Sequence, residues 1–120
     1  MDNEKPKTTL IYACNGISTY GRLTNEAANE LEKRGTGQKA CLAGVGAGID
    51  YKIKNSKAAD RRVALDGCKL CCVKRILENA GITGNISIVV PDSGIKITGK
   101  KPTPEETKKF SDYIEKVLDP

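Results

Sequence analysis

Five cysteines and no histidine set the chemistry open to this chain. Cys14, Cys41 and Cys68 recur at an interval of 27 residues, and Cys71 and Cys72 follow the third closely. Thiolates are nucleophiles and soft metal ligands, and a cluster of them suits Zn²⁺ or an iron–sulfur cluster. The missing histidine removes mixed Cys/His zinc sites and any imidazole acid or base. An odd count with three crowded thiols fits a secreted disulfide framework poorly. In a reducing compartment the same residues read as metal-binding or redox thiols.

The elements that must position these thiols follow from local pattern. Residues 8–13 are β-branched and apolar without polar alternation, as in a parallel strand covered on both faces. Ser18 or Thr19 then caps a helix reaching about residue 34. Leu23, Ala27 and Leu31 share its inner face, and Gly35 stands at its C′ position. Residues 38–43 read as a short second strand. Gly44, Gly46 and Gly48 then read as a strand–glycine loop–helix junction, whose N–H groups can face an anion or a thiolate. The G-x-G-x-G spacing is not a dinucleotide fingerprint. A short helix carries the chain to about residue 59, and Arg61-Arg62 lead into a third strand. That strand enters the Asp66-Gly67 turn, and Cys68 opens a helix running to about residue 80, closed by Gly81. Residues 86–90 form a fourth strand, ended by Pro91-Asp92-Ser93-Gly94, and residues 95–102 are basic and irregular. Thr103-Pro104-Glu105-Glu106 is a capping box with Pro at N1. Phe110, Tyr113, Ile114, Val117 and Leu118 give the final helix its apolar stripe.

This order predicts a single α/β domain over residues 1–120. It is three-layered, with a mainly parallel four-stranded sheet in the order 2-1-3-4 and helices on both faces. Ligands of such sheets bind beyond the C-terminal strand ends at the switch point, here between the first and third strands. The three evenly spaced cysteines each follow or end a strand, so they arrive at that edge. Neighbouring strands lie about 4.8 Å apart. Tetrahedral zinc, with Zn–S near about 2.3 Å, wants sulfurs about 3.8 Å apart, within reach of modest loop bending. For the fourth ligand, helical phase places Cys72 on the same side as Cys68 and Cys71 nearly opposite. A C-x-x-C pair is the commoner metal spacing, which keeps Cys71 as the alternative.

The remaining residues add less. The charged N-terminus 1–7 has no apolar signal region, and no run approaches the roughly 20 apolar residues that span a bilayer. The expectation is a soluble cytoplasmic protein without membrane contact. The formal charge of +5 is spread over amphipathic segments without a stacking platform, so no nucleic-acid partner is expected. Lys52, Lys54, Lys57, Arg61 and Arg62 read as solvated surface before they read as compensation for thiolate charge. Asp66 reads as a turn residue bonding the next backbone N–H groups, and less readily as an acid or base. Ser18 and Thr19 read as caps, with a substrate anion as the alternative.

Several pieces together resemble the DGC-domain family, named for the Asp-Gly-Cys found here at Asp66-Gly67-Cys68. They are Ala13-Cys14-Asn15-Gly16, Gly21-Arg22-Leu23, Cys41-Leu42-Ala43-Gly44-Val45-Gly46, Leu65-Asp66-Gly67-Cys68 and Leu77-Glu78-Asn79-Ala80-Gly81. The resemblance implies a small α/β protein assigned zinc binding on four shared cysteines, and it implies no established reaction. Its fourth cysteine falls on Cys72. The chain departs from the family with Lys69 where Pro often stands, and with Cys71 as an extra thiol. The expected metal ligands are therefore Cys14, Cys41, Cys68 and Cys72, with Cys71 as the alternative fourth. Zinc is the expected ion, and an iron–sulfur cluster would use the same four thiolates. The competing reading is a thiol–disulfide oxidoreductase or sulfur-handling protein. There Cys68, at a helix N-terminus, attacks and Cys71 or Cys72 resolves. A phosphate cradle at Cys14 fails because Arg22 lies too far along the chain.

Overall fold

Alternation along two central strands sorts the core into two layers. β1 (Thr9–Ala13) and β3 (Arg61–Asp66) pair in parallel, with Ile11 beside Val63 and Ala13 beside Leu65. Successive side chains of a strand point to opposite faces. Ile11, Ala13, Val63 and Leu65 accordingly join one core cluster, while Tyr12 and Ala64 join the other. β2 (Gln38–Lys39) pairs with β1 and β4 (Ile86–Val89) with β3, so the sheet is wholly parallel in the order β2-β1-β3-β4. The structure is a computed structural model that describes residues 8–120; the charged stretch 1–7 discussed above lies outside the described residues.

The first face is covered by α1 (Thr19–Lys33) and α5 (Pro104–Leu118). Leu23, Ala27 and Leu31 of α1 are fully buried, as their spacing requires. Ser18 is the cap, its Oγ accepting from the Gly21 N–H at 3.1 Å, and Gly35 turns the chain at φ +82°. In α5 the capping box forms as read: Thr103 Oγ1 accepts from the Glu106 N–H, and the Glu106 carboxylate accepts from the Thr103 N–H. Its buried face is Phe110, Ser111, Ile114 and Leu118, with Tyr113 at the margin; Val117, expected in the stripe, stands exposed. Arg34 fastens the end of α1 to α5, donating to Asp112 and Glu115 as well as to Glu30.

The second face carries α2 (Leu42–Gly46), α3 (Asp50–Ala58) and α4 (Cys72–Asn79). Here local pattern misplaces two boundaries. The second strand stops at Lys39, and the glycine-rich segment expected as a loop is the short helix α2, pinned by buried Val45. Glycine tolerates helix as well as turn, and only Gly48, at φ +75°, takes the left-handed conformation that needs it. The helix expected from Cys68 begins at Cys72 instead. Residues 68–71 form a turn closed by the Cys71 N–H on the Cys68 carbonyl (3.2 Å), and Cys71 lies at φ +54°, outside helical phase. Cys68 and Cys72 therefore share no helix face. Beyond the turn the pattern holds: Val73 and Leu77 are buried, and Gly81, at φ +77°, closes the helix. No helix among the described residues is long and apolar enough to cross a membrane.

Phe110 of α5 is among the largest fully buried side chains and packs in the core between the helices and the sheet. Phe110→Ala is expected to destabilise the domain by about 3–5 kcal/mol, read from urea denaturation, because the lost apolar contact leaves a cavity.

Candidate metal centre

Three parallel strands lying side by side deliver three thiols to one edge. Cys14 follows β1 directly and is tied to the neighbouring strand, its N–H donating to the Leu65 carbonyl at 3.0 Å. Cys41 stands just past β2, where Ala40 still donates to Ile11 (2.8 Å) in ladder fashion. Cys68 stands just past β3. Since β2, β1 and β3 are neighbours and all parallel, the topology sets these positions along the C-terminal edge of the sheet.

Close backbone packing holds two of the loops together. A Cβ on Gly67 would stand 2.7 Å from the Gly21 nitrogen and 2.9 Å from the Tyr20 carbonyl carbon. One on Gly21 would stand 2.6 Å from the Gly16 Cα. The loops bearing Cys14 and Cys68 thus meet through glycines at the start of α1, a contact no larger residue permits. Spacing alone does not mark it, although Gly16, Gly21 and Gly67 all lie in the motifs that carry the family resemblance.

Each thiol has its own surroundings. The half-buried Cys14 Sγ accepts from the Gly16 N–H at 3.4 Å and lies 3.6 Å from Thr24 Oγ1. The Thr24 hydroxyl donates to the Gly21 carbonyl at 2.6 Å, so in its pairing with Cys14 the thiol hydrogen is the donor. Cys41 is exposed and caps α2, its Sγ accepting from the Gly44 N–H at 3.4 Å. Cys14 and Cys41 line one cleft of about 440 Å³ together with Lys39, Leu42 and Ile76. Cys68 and Cys72 are exposed, and Cys71 is half-buried. Burial pushes the Cys71 thiol up, the Asp66 carboxylate and Cys68 add to this, and Lys74 and Arg75 oppose it.

Asp66 is buried to 1% exposure, and burial raises its pKa against the opposing pull of two backbone donors. Those donors are the N–H groups of Val73 (2.8 Å) and Lys74 (3.3 Å), so it caps α4 from a distance instead of forming a local turn. Thr19 donates to the Lys100 carbonyl. Arg61 and Arg62 open β3 at the opposite end of the sheet. There Arg62 donates to the carbonyls of Ser56, Ala59 and Thr83, so these two arginines do not serve the thiols.

The donor set consists of soft thiols, the kind that suits zinc or an iron–sulfur cluster. Among the described residues, however, no three Cys, Asp or Glu side chains are drawn together closely enough to hold an ion. The edge collects the cysteines without closing a cage. Cys68, expected at a helix N-terminus, precedes the first turn of α4 and does not occupy it.

The DGC-domain model matches residues 10–117. This chain belongs to the DGC-domain family. It is also 28% identical over 112 residues to the anaerobic and virulence modulator AnvM of Pseudomonas aeruginosa, covering 92% of this chain and 86% of that protein. No solved structure matches the chain. Asp66-Gly67-Cys68, which names the family, is thus the junction where a distant helix cap, a glycine contact and a thiol meet.

Two outcomes test this geometry. Gly67→Ala must push backbone from backbone and should cost about 1–3 kcal/mol of stability in urea denaturation. In the reduced, metal-free protein, Cys71 should alkylate more slowly at pH 8 than Cys41, Cys68 or Cys72, by peptide mass spectrometry. The thiolate is the reactive form, and burial and the Asp66 charge both deplete it at Cys71.

Proposed function

We propose that this DGC-domain chain is a small metal-binding protein of the reducing cytoplasm. It holds one zinc ion through Cys14, Cys41, Cys68 and Cys72, in a structural or regulatory role. The observation that carries the reading is the placement of three equally spaced thiols after the C-terminal ends of three neighbouring parallel strands. The loops after β1, β2 and β3 carry these thiols half-buried or exposed, and closing them on one ion requires the loops to shift.

Cys72 is favoured over Cys71 because it is exposed at the first residue of α4, whereas Cys71 is half-buried. Cys71 also occupies a left-handed backbone position, at φ +54°. Four thiolates around Zn²⁺ carry a net charge of about −2. The exposed Lys69, Lys74 and Arg75 stand in the same loop and first helical turn to offset it. Bound zinc would cross-link the loops after three strands and so stabilise the fold. The name of the Pseudomonas relative, a modulator, is in keeping with a regulatory role.

Metal analysis after anaerobic purification tests the reading. About one zinc per chain is expected, lost in Cys14→Ser, Cys41→Ser, Cys68→Ser and Cys72→Ser and kept in Cys71→Ser. Chelator should lower the melting temperature of the wild type. A protein that binds no metal under reducing conditions and melts identically with chelator contradicts the proposal. Iron with acid-labile sulfide in place of zinc would assign the same thiolates to a cluster.

A further inference from the structure

Asp66 is the one fully buried carboxylate among the described residues, and it sits where β3 ends. Its carboxylate reaches across the loop 67–71 to accept from the N–H groups of Val73 and Lys74. These are the second and third residues of α4, whose N–H groups an N-cap side chain ordinarily satisfies. The residue in the N-cap place, Cys71, makes no such bond and lies at φ +54°. The Cys68–Cys71 turn is therefore fastened at both ends by one residue: through the chain at Asp66 and through its side chain at the first turn of α4. Gly67 adds the backbone contact with Tyr20 and Gly21.

We infer that Asp66 is a positioning residue for the thiol cluster, a remote helix cap that fixes where Cys68, Cys71 and Cys72 stand relative to Cys14. The assignment explains why a cysteine is tolerated in the cap position of α4, where Ser, Thr, Asp or Asn is usual. It also separates the family's aspartate from acid–base chemistry, since its two oxygens are engaged by backbone donors. The inference deepens the proposed metal site and rests on that reading for its metal arm alone.

Asp66→Asn and Asp66→Ala in the full-length chain test it in two arms. In the Asn variant one acceptor is kept for Val73 while an amide N–H₂ faces the Lys74 N–H; in the Ala variant both acceptors are lost. The first arm follows alkylation of every thiol in reduced, metal-free protein from pH 8 upward and compares the plateau rates. At the plateau all thiols are ionised, so the thiolate fraction no longer differs; losing the Asp66 charge can then only lower the nucleophilicity of Cys71, and a rise in its rate reads access. The plateau rate at Cys71 is expected to rise at least fivefold in Asp66→Ala and less in Asp66→Asn, with Cys14 within twofold of wild type. An unchanged rate at Cys71, or an equal rise at Cys14, overturns the inference, the latter by showing general destabilisation. The second arm measures zinc affinity by chelator competition, with at least a tenfold loss expected in Asp66→Ala. Wild-type affinity in that variant also overturns it. Should the wild-type chain bind no zinc, the proposed function fails while the alkylation arm still decides the role of Asp66.

Discussion

Backbone lies directly on backbone where Gly67 meets Tyr20 and Gly21, and the geometry of the thiol edge depends on that contact. A parallel sheet alone brings the ends of β2 and β3 each within about one strand spacing of the end of β1, but the loops that follow are free to diverge. Gly16, Gly21 and Gly67 stop two of them from doing so. With no side chain between them, the loop after β1 and the loop after β3 rest on the start of α1, and Cys14 and Cys68 are carried along. Asp66 completes the arrangement by holding α4 to the end of β3. The Asp-Gly-Cys sequence is thus three consecutive residues with three different physical tasks: a buried acceptor, an absent side chain and an exposed thiol.

The thiols are unequal, and the inequality bears on function. Cys41, Cys68 and Cys72 are exposed, whereas Cys14 and Cys71 are half-buried. Cys14 meets the Gly16 N–H, a donor that would serve a thiolate as well as a thiol. Cys71 meets burial and a carboxylate, which resist ionisation. A dithiol enzyme needs a nucleophile activated by its surroundings, and the helix N-terminus expected to activate Cys68 lies four residues further on.

Most of the fold was legible because it rests on short-range rules. Strand alternation, the Leu23–Ala27–Leu31 stripe and the Thr103–Glu106 capping box each act within a few residues, and the order 2-1-3-4 is the arrangement favoured for right-handed crossovers with helices on both faces. The equal phase of Cys14, Cys41 and Cys68 was legible for the same reason. The two boundaries that were misplaced depend on longer reach. Residues 42–46 became helical because Val45 is buried under α4, against the turn preference of their glycines. Helix α4 starts late because its cap, Asp66, comes from the preceding strand and not from the residue before the helix. Helical phase counted from Cys68 could not register that break, so the shared face of Cys68 and Cys72 disappeared with it.

The proposed centre closes four thiolates around one ion. X-ray absorption at the zinc edge on anaerobically purified protein addresses it most directly, because it counts and identifies the ligands without relying on variants that must fold. The account predicts a shell of four sulfurs at about 2.3 Å. A shell dominated by oxygen or nitrogen, with two sulfurs or fewer, would contradict it.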